Sequence, residues 1–268
     1  MMNSKTLKII LITIIVVLSG CASNRESFSP YGNDTGKFKE LKVGIAPDYP
    51  PVVFKEKGKL QGIEIDLAKK LAYDLKIRII FVELPRDELI PALTANKIDV
   101  IMSGMSITPE RQRQVTFIQP YLHVGQMGLI RKNDIAEFAN RRLILGTSKR
   151  VGYQPETTSE EFVKKSMRNA QYVPEQSVDA AVADLRSGKI DIFIHDAPTI
   201  WLIAGNIHEQ QLMGLFWRLT DESLAWAVRP SDTGLQQQLN AVIDKWREKG
   251  ILRAILNKWI KLQIDVEG

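Results

Sequence analysis

The run Ser106-Ile107-Thr108-Pro109-Glu110-Arg111 places a hydroxyl, a helix start and a guanidinium within a few residues of one another. Thr108 is a natural N-cap, Pro109 suits the first helical position, and Glu110 favours the positive helix end. Arg111 does not, because a cation in the first turn meets the wrong end of the dipole. An anionic ligand would repair that mismatch, with Arg111 holding a carboxylate through paired N–H···O bonds and Ser106 and exposed backbone N–H groups adding donors. The bland alternative is an arginine paired with Glu or Asp on a solvated face. A second candidate run, His195-Asp196, follows an apolar stretch in the other half of the chain.

The elements that must position these residues alternate in type. Leu41, Val43 and Ile45 recur with period two. Leu67, Ala68, Leu71, Ala72 and Leu75 recur at helical spacing behind Asp66. Ile77, Ile79 and Phe81 form a next strand, Asp87 can cap a helix carrying Leu89, Ile90 and Leu93, and residues 98–102 form another strand. This βαβαβ order favours mostly parallel sheets with helices on both faces. The grammar then repeats: residues 142–145 read as a strand, Val178, Ala181, Val182 and Leu185 line a helix that starts at Ser177, and residues 190–194 read as a strand. The two halves share wording, Asn96-Lys97-Ile98-Asp99-Val100-Ile101-Met102 against Gly188-Lys189-Ile190-Asp191-Ile192-Phe193-Ile194. Two similar α/β lobes follow from this better than one large sheet. Ligands of open α/β sheets sit beyond the carboxyl ends of strands, where the chain carries Ser103-Gly104-Met105-Ser106 in one half and His195-Asp196 in the other.

At the N-terminus, Lys5 and Lys8 flank an apolar run over residues 9–18, too short to span a bilayer and of signal-peptide dimensions. Leu18-Ser19-Gly20-Cys21 resembles the lipobox of bacterial lipoproteins. That resemblance implies a leader over residues 1–20 cut before Cys21, a thiol acylated with palmitate-type chains, and lipid anchoring in the periplasm or at the cell surface. The alternative is an uncleaved anchor. Cys21 is the single cysteine, which excludes an intrachain disulfide, and residues 21–38 read as a polar tether. Loss of Lys5 and Lys8 would lower the formal charge from +5 to +3. This weak basic balance, with no Lys/Arg stripe among aromatics, argues against nucleic acid.

Residues 41–259 resemble the family 3 extracellular solute-binding proteins, the polar amino-acid receptors of bacterial uptake transporters. The resemblance rests on Gly62-Ile63-Glu64-Ile65-Asp66-Leu67, on Leu89-Ile90-Pro91-Ala92-Leu93, and on the Ser106 to Arg111 run with Val115-Thr116-Phe117 and Pro120-Tyr121. It also rests on Gly146-Thr147, on Gly188-Lys189-Ile190-Asp191 through His195-Asp196-Ala197-Pro198, and on the ending from Gly250 to Lys258-Trp259. It implies a type II-like periplasmic binding protein fold of two lobes, each a mostly parallel sheet flanked by helices. Residues 39–123 and 226–268 would form lobe 1 and residues 124–225 lobe 2, with hinge crossings near 121–128 and 219–225. Trp226, Ala227 and Val228 would return to lobe 1. Leu239, Ile243, Trp246, Ile251, Ile255, Leu256 and Trp259 would pack its closing helices.

Carried over by residue, the resemblance assigns Arg111 to the ligand α-carboxylate, with Ser106 and Gly104 in support. It assigns Asp196 to the α-ammonium, Tyr49 to an aromatic wall, Thr147 to a lobe 2 carboxylate-binding loop and His195 to ligand contact. For Asp196 the bland alternative is a turn-forming aspartate, and for His195 an exposed or supporting role. Three departures bear on the substrate. Arg86 stands where a second aromatic is usual, Ala46 where many members are acidic, and Lys149 and Arg150 lie in a loop where small residues are common. If Arg86 or Arg150 enters the cleft, glutamate, aspartate or another dianion is favoured; if both are solvated, no such preference follows.

The implied role is capture of a small amino acid by a monomer and delivery to an ABC transporter permease, with no metal, no cofactor and no catalysis. Two alternatives stay open. One is a ligand-sensing lipoprotein that signals to a membrane receptor. The other is a cyclohexadienyl dehydratase-like enzyme, since residues 102–114 also resemble that group, although Asp196-Ala197-Pro198-Thr199 lacks the glutamate that follows in those enzymes. His123, His195 and His208 lie scattered along the chain.

Overall fold

The computed structural model describes residues 40–206 and 208–260; the leader, Cys21 and the tether lie outside them. Two five-stranded sheets organise the chain. The first has the spatial order Arg78–Glu83, Glu40–Ile45, Val100–Ile101, Ala227–Val228, Thr116–Phe117. The second runs Gln171–Pro174, Arg150–Tyr153, Ile192–Asp196, Gln126–Arg131, Leu212–Gly214. Each sheet is parallel on one side and antiparallel on the other. The mixture has a topological cause: Ala227–Val228 and Gln126–Arg131 enter their sheets from the inter-lobe crossings, so they run against the strands laid down by the βαβ units.

Local sequence accounts for the helices that position the site. Ile63–Leu75 begins three residues before Asp66, because Gly62 adopts φ 120 and turns the chain into the helix at once. Its face of Ile63, Ile65, Leu67, Ala68 and Leu71 is fully buried in the first-lobe core with Trp226 and Trp246. Ser177 caps Val178–Ser187 by accepting from Ala180 N, and Gly188 closes that helix in the left-handed region. Asp87 caps nothing; it lies in a short 3-10 turn ahead of Leu89–Thr94. Leu239, Ile243, Trp246, Leu256 and Trp259 pack on the first sheet through the helices Thr233–Glu248 and Ile251–Trp259.

A strand assignment from the sequence also fails. Residues 142–145 are not a strand: Arg141–Leu145 is a helix capped by Asn140, whose side chain accepts from Leu143 N. The corresponding strand is Arg150–Tyr153, where Val151 and Tyr153 are buried between two parallel neighbours.

Between the sheets, Leu122–Val124 pairs antiparallel with Glu222–Leu224. The crossings approach so closely that a Cβ on Gly125 would stand 2.0 Å from the Thr220 carbonyl oxygen. Beside them, the fully buried Glu64 carboxylate accepts from Gly104 N at 2.9 Å, Tyr121 Oη at 2.8 Å and Trp226 Nε1 at 2.7 Å. Burial nevertheless raises its pKa to about 7, the three donors opposing the shift. Removing this carboxylate leaves three buried donors unpaired. Glu64→Ala should destabilise the protein by roughly 3 kcal/mol or more and lower Tm by about 6–12 °C, as read by thermal melting.

Candidate functional site

Tyr49, Arg86, Gly104, Ser106, Arg111, Thr157, Thr158, His195 and Asp196 line one cavity between the lobes. Its free volume of about 20 Å³ is that of a bound water or so, and the lobes touch around it. Gln154 Nε2 donates to Asp48 Oδ2 at 3.1 Å, Thr199 Oγ1 to the Pro50 carbonyl at 2.6 Å, and the Tyr49 and His195 rings meet edge to face at 5.4 Å. The arrangement is therefore a closed one.

The first-lobe wall is built from strand ends and a single helical turn. Gly104 has φ +62, and any Cβ there would come within 2.8 Å of the Tyr49 ring and Val52, so only glycine lets the aromatic lie this close. Thr108 caps the turn Pro109–Gln112 by accepting from Arg111 N at 3.2 Å. Because the helix has four residues, Arg111 also stands in its last turn, and the dipole mismatch expected from sequence is weak. The placement of Arg111 rests on a different bond, from its Nη1 to the Ser106 carbonyl at 3.0 Å. Among the described residues Arg111 forms no ion pair. Burial lowers its pKa, while Glu161, Asp196 and Glu222 oppose that shift.

Asp196 comes from the second lobe, at the end of Ile192–Asp196. Its Oδ1 accepts from Gln126 Nε2, which also reaches Thr158 Oγ1 at 3.0 Å and Glu222 Oε1 at 3.1 Å. Burial, reinforced by Glu222, raises the Asp196 pKa to about 6. Burial and the nearby Asp196 also push the Tyr49 hydroxyl well above its usual range. His195 Nδ1 accepts from Asp196 N at 2.8 Å, leaving Nε2 to donate to Gln154 Oε1 at 3.1 Å. Burial depresses the His195 pKa to about 3, so the imidazole is neutral at ordinary pH.

Arg86 enters the cavity, its guanidinium 5.8 Å from the Tyr49 ring centroid and bonded to Asp48 at 2.5 Å. Its Nε is buried without a hydrogen-bond partner among the described residues. Arg150 does not enter: it forms a two-pronged pair with Asp191, Nε to Oδ2 at 2.9 Å and Nη2 to Oδ1 at 2.7 Å. Lys149 pairs with Glu137 at 2.7 Å on the surface. Thr147 is likewise displaced from the cavity; its Oγ1 accepts from Lys149 N in a local turn. The second-lobe hydroxyls at the cavity are Thr157 and Thr158 instead, where the helix Thr158–Ser166 begins. They follow Arg150–Tyr153 directly, so correct strand assignment would have found them. Gln126 and Gln154 carried no sequence signal, since their roles depend on partners 32 to 106 residues away.

The two lobes thus meet over a cavity that Arg111 lines from one side and Asp196 from the other. Residues 41–262 match the sequence profile of the bacterial extracellular solute-binding proteins, family 3, and the chain belongs to that family. Among its relatives, the histidine-binding periplasmic protein of Salmonella typhimurium is 30% identical over 86% of this chain and 90% of its own length. ABC transporter arginine-binding protein 1 of Escherichia coli K12 is 29% identical over 82% and 90%. The crystal structure of an ancestral amino acid-binding protein, AncCDT-1, a precursor of cyclohexadienyl dehydratase, superposes with TM-score 0.75 at 32% identity, covering 82% of this chain and 95% of that one.

Two substitutions separate these assignments. Gln154→Ala removes a cross-cleft hydrogen bond worth about 1 kcal/mol and should shift the open-to-closed ratio about fivefold, seen as a larger radius of gyration in small-angle scattering. Arg150→Ala should leave ligand affinity within about twofold, as measured by calorimetry, because its partner lies outside the cavity.

Proposed function

We propose that this protein captures an amino acid between its lobes outside the cytoplasm and delivers it to an ABC transporter. The observation that carries this reading is the convergence of Arg111 and Asp196 on one cavity from opposite lobes. A carboxylate bonded to Arg111 and an ammonium bonded to Asp196 would each satisfy a group that the protein leaves partly unpaired, and both bonds are complete only when the lobes close. The ligand therefore stabilises the closed state by its difference in affinity for the two forms. The names of the relatives, which specify histidine and arginine, support an amino-acid ligand. Anchoring through acylated Cys21 is part of the same proposal.

For the ligand's distal group, the reading that fits this cavity is acidic. Arg86 offers a buried, unpartnered Nε, and Ala46 offers no carboxylate to receive a cation. Glutamate or aspartate would complete the Arg86 bonds, whereas an arginine or lysine side chain would bring no acceptor to its free Nε.

Titration calorimetry with glutamate, aspartate, glutamine, histidine and arginine tests both levels. Glutamate or aspartate should bind at least about tenfold tighter than arginine, the difference a single charge-assisted bond supplies. Tighter arginine binding would overturn the acidic reading and leave the clamp standing; no binding by any amino acid would overturn the receptor reading. Arg111→Ala should weaken binding by a factor of about 30 to 1,000.

The raised Asp196 pKa sets the pH dependence. Its folded-state value of about 6 lies above the ordinary 3.8, so between those values the folded state holds the extra proton. Stability of the free protein therefore falls as pH rises through that window. Affinity moves the other way, decreasing toward about tenfold per unit as pH drops below 6, because an ammonium needs the ionised carboxylate. Asp196→Asn should flatten that affinity profile, abolish tight binding, and raise the Tm of the ligand-free protein at neutral pH by a few degrees, roughly 2–4 °C per kcal/mol recovered.

A further inference from the structure

A patch on the second lobe lies outside the residues that line the cavity. Leu215 and Leu219 are buried in one cluster with Phe138 and Ile144, and their amides bond to Gly128 and Gln126 carbonyls at 2.8 and 2.7 Å. Pinned at both ends, the intervening Phe216, Trp217 and Arg218 project outward. Phe216 is 76% exposed and Trp217 41%, their rings packed edge to face at 6.2 Å. The helix Arg141–Leu145 lies alongside, Arg141 Nη1 donating to the Arg218 carbonyl at 3.4 Å, and it adds exposed Arg141, Arg142 and Leu143.

Many basic residues of this lobe carry acidic partners, though Lys132, Lys165 and Arg168, like those of the patch, form no ion pair among the described residues. Arg131, Lys149, Arg150, Lys164, Arg186 and Lys189 are all ion-paired. Arg141, Arg142 and Arg218 form no ion pair among the described residues, and neither does the nearby Asp221. Three guanidiniums without acidic partners among the described residues, beside an exposed Trp and Phe, combine a site for anionic oxygens with an apolar tip.

We propose that this patch docks the second lobe reversibly on an anionic lipid surface, with Arg141, Arg142 and Arg218 on headgroup phosphates and Phe216 and Trp217 at the acyl boundary. Size favours a bilayer over a protein partner. Six residues at a loop tip fall well short of the roughly 20–30 residues a side of a stable protein interface. Peripheral membrane contact needs only an aromatic wedge and a few cations within a Debye length of the surface. This contact is non-covalent and independent of Cys21 and of the ligand's identity.

The chain from Ala22 onward retains every described element and lacks the acylated cysteine, so it isolates the contact. It should co-sediment with phosphatidylcholine vesicles containing phosphatidylglycerol, much less with phosphatidylcholine alone, and detach as salt is raised. The variant carrying Phe216→Ser and Trp217→Ser, and separately the variant carrying Arg141→Gln, Arg142→Gln and Arg218→Gln, should each bind at least about tenfold more weakly. The five substituted sites are all solvent-exposed, and an unchanged melting transition would show that the fold persists. Equal sedimentation with neutral and anionic vesicles, or undiminished binding by both variants, would overturn the proposal. So would a concentration-dependent dimer that the same substitutions abolish without any vesicle binding, which would assign the patch to a second copy of the chain.

Discussion

Glu64 collects three donors that belong to three separate parts of the machine: the Gly104 amide in the ligand-facing loop, the Tyr121 hydroxyl at the first crossing, and the Trp226 indole at the return into the first sheet. A buried carboxylate is costly by itself, as its raised pKa records. Each donor would also be costly without it. The cluster is stable only as a unit, so the loop that shapes the cavity and the segments that carry lobe motion are held to one frame. The left-handed conformation of Gly104 and the tight approach of Tyr49 both depend on that loop staying in place.

Around this frame the cavity is organised by directed polar contacts more than by apolar packing. Arg86 is held by Asp48, Asp48 receives the Gln154 amide from the other lobe, and Gln154 receives the neutral His195 ring. The chain of bonds crosses the cleft, so the orientation of Arg86 is linked to closure. On the hinge side, Gln126 joins Asp196, Thr158 and Glu222, which links the cavity carboxylate to the second crossing. Burial first, and the Glu222 carboxylate second, raise the Asp196 pKa to about 6, while the Gln126 amide opposes them.

Much of this architecture was legible in the sequence where a local pattern has a single physical reading. Alternating apolar residues at Leu41, Val43 and Ile45, and the helical spacing from Leu67 to Leu75, admit little else. The resemblance placed Arg111, Asp196, Tyr49, Gly104, Ser106 and His195 together, and they share one cavity. Legibility failed where two readings fit equally. Leu143-Ile144-Leu145 and Val151-Gly152-Tyr153 are both short apolar runs followed by a threonine; the Asn140 cap makes the first a helix, and pairing with two parallel neighbours makes the second a strand. The resemblance assigned the second-lobe loop contact to Thr147, whereas the second-lobe hydroxyls that line the cavity are Thr157 and Thr158.

By itself, then, the sequence determined the alternation of strands and helices, the family, and the residues at strand ends, because these follow from periodicity and from motifs a few residues long. Tertiary structure alone decided which cations line the cavity. Arg86 and Arg150 are equivalent as loop arginines, yet Asp191 pairs Arg150 away from the cavity and Asp48 directs Arg86 over Tyr49. Those partners lie 41 and 38 residues off along the chain. Burial, counter-ions and the resulting pKa values are properties of what folding brings together, and no local pattern encodes them.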